Sequence, residues 1–166
     1  MTTYSVKLVD HRNSPQHETD AIKSSIQHVL GLAFVDTSDD VDVEWGSGAN
    51  DDNLVIHFVD DVAHSYLRQT WPTMPVDPNA GGHTHSHGSL SGTELYRSGP
   101  RGPFRLRVYG FMAFHEALHN IFPFRNDVHT AMCGGLASAH VPHEDPNDDN
   151  KAWLRRGFSS RNPQLL

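Results

Sequence analysis

Apolar and polar positions alternate from Tyr4 to Val9, with Tyr4, Val6 and Leu8 set against Ser5, Lys7 and Val9, and this period of two predicts a first strand. His11 to His17 is polar, contains Pro15 and reads as a loop. Ile22, Ile26, Val29 and Leu30 then recur at helical spacing, so a helix is expected from a cap at Thr19 or Asp20 to about Leu32. Val41 to Trp45 alternates again and predicts a second strand. After a turn rich in Gly, Asn and Asp, the apolar run Leu54 to Val59 predicts a strand in the middle of a sheet. Thr70 to Ser91 holds Pro72, Pro75, Pro78, Ala80-Gly81-Gly82 and Gly88, so no regular structure is expected there. A short strand over Thr93 to Arg97 is expected at the edge of the sheet, beside a cleft.

The clearest periodicity runs from about Val108 to Ile121. Val108, Phe111, Met112, His115, His119 and Phe122 form one stripe. Phe114, Ala117, Leu118 and Ile121 form another, so this helix should be buried on two sides. Beyond Pro123 the pattern is irregular, apart from a short helix expected near Lys151 to Phe158. No repeat or linker divides the 166 residues, so a single domain is expected.

Inside that helix stands His115-Glu116-Ala117-Leu118-His119, an HExxH motif. Residues four apart stand one above the other on a helix, so both imidazoles point the same way and can close on one ion. Glu116, one position round, can reach a metal-bound water instead of the metal. With 13 His but only five Glu in the chain, chance would place such a motif somewhere with odds of roughly 3 in 100. The plain structural reading is a buried amphipathic helix with two incidental histidines. It leaves two imidazoles in an apolar helix in need of partners.

Composition narrows the ligand chemistry. The formal net charge is −7 with His neutral, which argues against a general nucleic-acid surface. A single Cys133 excludes an intrachain disulfide and a Cys-rich zinc site, leaving His and carboxylates as ligands. No apolar run approaches the roughly 20 residues that span a bilayer, so no membrane partner is expected. The first ten residues lack a basic segment followed by an apolar one, so no secretory signal is visible. A cytoplasmic protein and a processed secreted form both fit.

The order strand, helix, strand, strand, edge strand, HExxH helix, together with the segment Thr130-Ala-Met-Cys-Gly-Gly135, resembles the metzincin clan of zinc metallopeptidases. The resemblance implies an α+β fold, with a twisted mixed sheet packed on two helices, a horizontal cleft, an irregular C-terminal part and Met132 in a turn beneath the zinc. It also implies a third ligand in the pattern HExxHxxGxxH, but here the glycine place is Phe122 and the third-ligand place is Arg125. A guanidinium has no lone pair to offer a metal. Pro123 should end the helix and turn the chain, so a ligand is sought further on. Asp127 and His129, two apart, would project to the same side of an extended segment, and a more distant Glu144 would also serve. His129 is favoured.

The alternating His83, His85 and His87 would face one way in an extended loop. Solvated loop, rim of the cleft and second metal site are the roles open to them. The acidic run from Asp36 to Asp52 has no EF-hand spacing and reads as solvated loop. The expected function is therefore a monomeric zinc metallopeptidase acting on a peptide or protein, with one Zn2+ on His115, His119 and His129, and Glu116 as general base. The alternative is a non-catalytic, His-rich metal-binding protein holding zinc or nickel.

Overall fold

A computed structural model describes residues 1–49, 51–121, 145–160 and 164–166. The architecture is α/β: among the described residues, a mixed sheet of five main strands, with the short last strand paired to the fifth, and three helices. Strand β1 (Thr3–Asp10) leads into helix α1 (Gln16–Gly31), followed by β2 (Asp40–Trp45) and β3 (Leu54–Val59). A hairpin of β4 (Gly82–His87) and β5 (Leu90–Tyr96) comes next, then the two-residue strands β6 (Ser98–Gly99) and β7 (Gly102–Pro103). Helix α2 (Tyr109–Ile121), helix α3 (Asp148–Ser160) and the short strand β8 (Gln164–Leu165) complete the described chain.

The sheet runs β2-β1-β3-β5-β4, and only β4 is antiparallel to its neighbour. Parallel pairs need crossovers, and the β1-α1-β2 crossover makes this α/β and not the α+β fold expected. One face of the sheet carries Tyr4, Val6, Leu8, Val41, Val43, Leu54, Ile56, Phe58 and Leu95, packed against Ile22, Ile26, Val29 and Leu30 of α1 and Phe114 and Leu118 of α2. Helix α3 adds Leu154 and Phe158 to the same core, where Phe158 meets Tyr4 and Phe34. Among the described residues three helices, not two, therefore cover the sheet's core. The other face is covered near β3 and β5 by two 3-10 turns, Val62–His64 and Leu67–Gln69, and by Leu166.

Three expected boundaries shift. Helix α1 starts one turn early because Pro15, with φ −66° and ψ 150°, already presents the geometry from which a helix can begin. Glu18 in the first turn accepts from Arg12 Nη1 at 3.0 Å and from Arg97 Nε, which ties that turn to the chain just beyond β5. The expected edge strand at Thr93 to Arg97 is inner strand β5, and the edge is β4, inside the stretch expected to be irregular. Gly88, at φ +61°, and Ser89 form a two-residue turn between them, the tight hairpin that a glycine in this position allows.

The sheet's two edges differ. At β2, the Gln27 amide donates to Val41 O (2.6 Å) and accepts from Val43 N (2.8 Å), plugging the outward backbone groups. Among the described residues no strand pairs with the outer edge of β4.

Helices α1 and α2 cross at Gly110. Its amide donates to Ser25 Oγ (2.9 Å), and that hydroxyl donates to Arg107 O (2.9 Å). A Cβ on Gly110 would run into the Ser25 backbone carbonyl and Val29. Gly110→Ala is expected to cost about 1–3 kcal/mol, because a backbone atom cannot step aside as a side chain can. Thermal denaturation of the variant checks this, and an unchanged melting temperature would refute the close crossing.

Candidate metal-binding site

Helix α2 brings His115 and His119 together as the i, i+4 spacing requires. Their Nε2 atoms are 3.1 Å apart, and the rings stand edge to face with centroids 4.6 Å apart. Glu116 is buried at 6 % exposure, with Oε1 4.0 Å from His115 Nε2. On the same helix Phe114, Ala117 and Leu118 are fully buried in the core, which fixes the rotation of α2 and hence where the imidazoles point.

The edge strand supports the carboxylate. Thr84 Oγ1 lies 2.7 Å from Glu116 Oε2 and 3.1 Å from the Glu116 carbonyl. Thr84 pairs across the hairpin with Thr93, the two hydroxyls 3.0 Å apart, and Asn120 Nδ2 donates to Thr93 Oγ1 at 2.7 Å. Gly82 lies where a Cβ would meet Glu116 Cγ at 3.0 Å and Glu94 O at 2.9 Å, so the strand starts without a side chain and the helix can approach. Burial pushes the Glu116 carboxyl up to about 7; the Thr84 hydrogen bond pulls against this, and the charge of Glu94 adds to it. A carboxyl held there sits where a general base works near neutrality.

His83, His85 and His87 do share one side of β4, but it is the side turned away from Glu116. Thr84 points to α2, and the pleat sends its neighbours to the opposite face. There His85 meets Trp71 edge to face at 4.7 Å and His83 at 6.2 Å. Burial depresses His83 to about 4, with the His85 and Arg68 charges acting in the same direction. A role for this trio on the rim of the His115–His119 site is thereby corrected. Among the described residues no three His, Cys, Asp or Glu side chains are grouped so as to hold a metal, so a second metal site on the trio gains no support. Asp127, His129, Met132 and Glu144 lie outside the described residues.

A second histidine cluster went unread in the sequence. His57 of β3 is 4 % exposed. Its Nδ1 is 2.9 Å from His11 Nε2, its Nε2 is 2.7 Å from Leu166 O, and the Tyr66 ring stacks on it at 4.0 Å. Burial depresses His57 to about 4, against the pull of the Leu166 carbonyl. Nearby, the fully buried Glu94 accepts from Ser65 Oγ (2.5 Å), Tyr66 N (2.8 Å), Leu67 N (3.2 Å) and Tyr96 Oη (2.8 Å), which anchors the segment covering this face. Comparison with protein-family models, with curated proteins and with solved structures gives no match for this chain.

Thr84, Thr93 and Asn120 around Glu116 were likewise missed. Asn120 was within reach of sequence reasoning, since it stands four residues after Glu116 and shares its side of the helix. The two threonines become neighbours of Glu116 only through the hairpin register.

Proposed function

We propose that this protein is a zinc-dependent metallopeptidase of metzincin-like fold. The observation that carries the reading is the pair of Nε2 atoms 3.1 Å apart beside the buried carboxylate of Glu116. Two nitrogens on one zinc at about 2.0–2.1 Å in tetrahedral geometry stand about 3.3 Å apart, so the pair is already spaced to share an ion. The donor set is also right in kind: neutral imidazoles suit zinc, and a carboxylate set off the ion suits a base. His129 is proposed as the third protein ligand, with Asp127 and Glu144 as alternatives.

His115 and His119 would hold the zinc, which would supply an acidified water and a polarised carbonyl. The chain's own residues then divide the remaining work. Glu116 accepts the proton of the attacking water on Oε1, the oxygen turned toward the histidines, and passes it to the departing amine. The outer edge of β4, one strand from Glu116, offers an extended peptide backbone groups with which to pair.

Elemental analysis of untagged protein, purified without a metal-affinity step, tests the reading. About one zinc per chain is expected, and a His115→Ala, His119→Ala double variant should lose it. A chain that holds no zinc even when zinc is supplied would overturn the proposal. Zinc without cleavage of any peptide in a broad library would leave a metal-binding protein instead of a peptidase.

A further inference from the structure

We propose that Asn120, Thr93 and Thr84 form a directed hydrogen-bond chain that positions Glu116, holding its Oε2 so that Oε1 alone is turned to the histidine pair. The inference rests on the metallopeptidase reading for its catalytic meaning, although the chain itself is a property of the fold.

Proton counting gives the direction. Asn120 Nδ2 can only donate, so Thr93 Oγ1 accepts from it at 2.7 Å. The Thr93 proton then goes to Thr84, whose hydroxyl is 3.0 Å away. Thr84, accepting from Thr93, has one proton left and two oxygens of Glu116 in reach, Oε2 at 2.7 Å and the carbonyl at 3.1 Å. With Glu116 ionised, the form that acts as a base, the opposite direction would leave the Thr84 lone pairs facing a carboxylate oxygen at 2.7 Å with no proton between them. The shorter contact, to a charged acceptor, is also the stronger hydrogen bond. Thr93 is fully buried and Asn120 is 1 % exposed, so water does not compete at that end of the chain; Thr84, the link to Glu116, is part-buried, and each link polarises the next.

The plain alternative is that these groups merely satisfy one another in the core, as buried polar groups generally do. Two features point beyond that. The chain ends on a side-chain carboxylate next to the HExxH histidines, and it gathers residues from three elements, α2, β5 and β4. The stem of the same carboxylate packs on Gly82, so one strand sets both its depth and its twist. The remaining oxygen, Oε1, is the one 4.0 Å from His115 Nε2. Thr84, Thr93 and Asn120 are positioning residues: they act through Glu116.

Two measurements test this together. In proton NMR spectra of the protein as purified, the Thr84 and Thr93 hydroxyl protons should appear as distinct, slowly exchanging resonances, and the Thr84 resonance should vanish in Thr84→Val. With a peptide selected from a fluorescence-quenched library, Thr84→Val should lower kcat about 10- to 100-fold while KM and zinc content hold, the size usual for groups that orient a metal site from behind. Thr84→Ser, which keeps the hydroxyl, should recover most of that loss. Thr84→Val cleaving at the wild-type rate would overturn the proposal, as would a Thr84→Ser protein no better than Thr84→Val. If the wild-type protein cleaves no peptide, the peptidase reading fails by itself, and the NMR spectrum still decides the chain. A wild-type Thr84 hydroxyl in rapid exchange with water would overturn it, and this needs no variant to fold.

Discussion

Glu116→Gln is expected to keep its zinc and to lose peptide hydrolysis by a factor of about 10^2–10^4, the range over which a positioned general base contributes. The substitution keeps the shape of the side chain, and the Gln carbonyl oxygen can still accept from Thr84 at the position of Oε2. It removes the capacity to take a proton from the attacking water. The fold should gain from the change. Burial holds the Glu116 carboxyl up at about 7, above its ordinary 4.5, so the unfolded chain ionises there before the folded one does. A buried carboxyl raised in this way lowers stability progressively from about pH 4.5 to 7, and the penalty is complete above pH 7. Metal-free Glu116→Gln should therefore melt higher than metal-free wild type at pH 8, and the difference should vanish near pH 4. Opposite movements of activity and stability are the mark of a functional group held where the fold alone would not hold it. Wild-type cleavage rates in Glu116→Gln would remove Glu116 from the mechanism.

The fold is expected to weaken on mild acidification, chiefly through His57. Its folded value of about 4 lies below the ordinary 6.5, so between those two pH values the unfolded chain binds a proton that the folded chain refuses. The associated stability is fully present above about pH 6.5 and is lost as pH falls through about 4, with His57 alone accounting for about 3 kcal/mol. The chief cause is burial, and the neighbouring His11 acts in the same direction, against the pull of the Leu166 carbonyl. In the neutral form Nε2 donates to Leu166 O, and Nδ1 carries the lone pair that accepts from His11 Nε2 beneath the Tyr66 ring. His83, also held down to about 4 by burial, acts in the same sense. Melting temperatures followed from pH 7.5 to 4 should fall steeply in the wild type and less steeply in His57→Phe, which keeps the stack on Tyr66 and gives up the hydrogen bonds. Parallel pH slopes in the two proteins would show that His57 is not the source.

Where the side-chain pattern was set by burial, the sequence reading and the structure agree closely. Leu54 to Val59 is apolar throughout because β3 is buried on both faces, and its limits match. Helix α2 begins one residue after the expected Val108, behind a 3-10 turn at Leu106–Val108. Strand β4 was missed because Gly-His-Thr-His-Ser-His is polar on both sides and gives no alternation to read. It is held by its ladder to β5 and by hydroxyl pairs, Thr84–Thr93 and Ser86–Ser91, each at 3.0 Å. Gly88-Ser89 between two strand-length runs was the available signal, and the prolines at 72, 75 and 78 obscured it. Thr19 and Asp20 look like helix caps, yet the paired arginines on Glu18 draw the start of α1 back to Gln16. Helix α3 runs from Asp148 to Ser160, longer at both ends than its apolar residues suggested, with Asp148 and Asp149 favourably placed in the first turn. The HExxH spacing made the imidazole pair legible; the threonine chain behind it depends on strand register, which no local pattern encodes.

The hairpin and helix that build the candidate site occupy one unbroken stretch, residues 81 to 121, and its supporting contacts join segments near in sequence. Thr84 reaches Glu116 across 32 residues and Thr93 across nine, whereas His57 meets Leu166 across 109. Closing a short loop loses less chain entropy than closing a long one, and local contacts form faster. During folding, the histidine pair and its carboxylate should therefore take shape around the β4–β5 turn before the last strand returns to seal the opposite face. The two sides of this sheet thus have different histories: one is assembled in place, and the other is closed last.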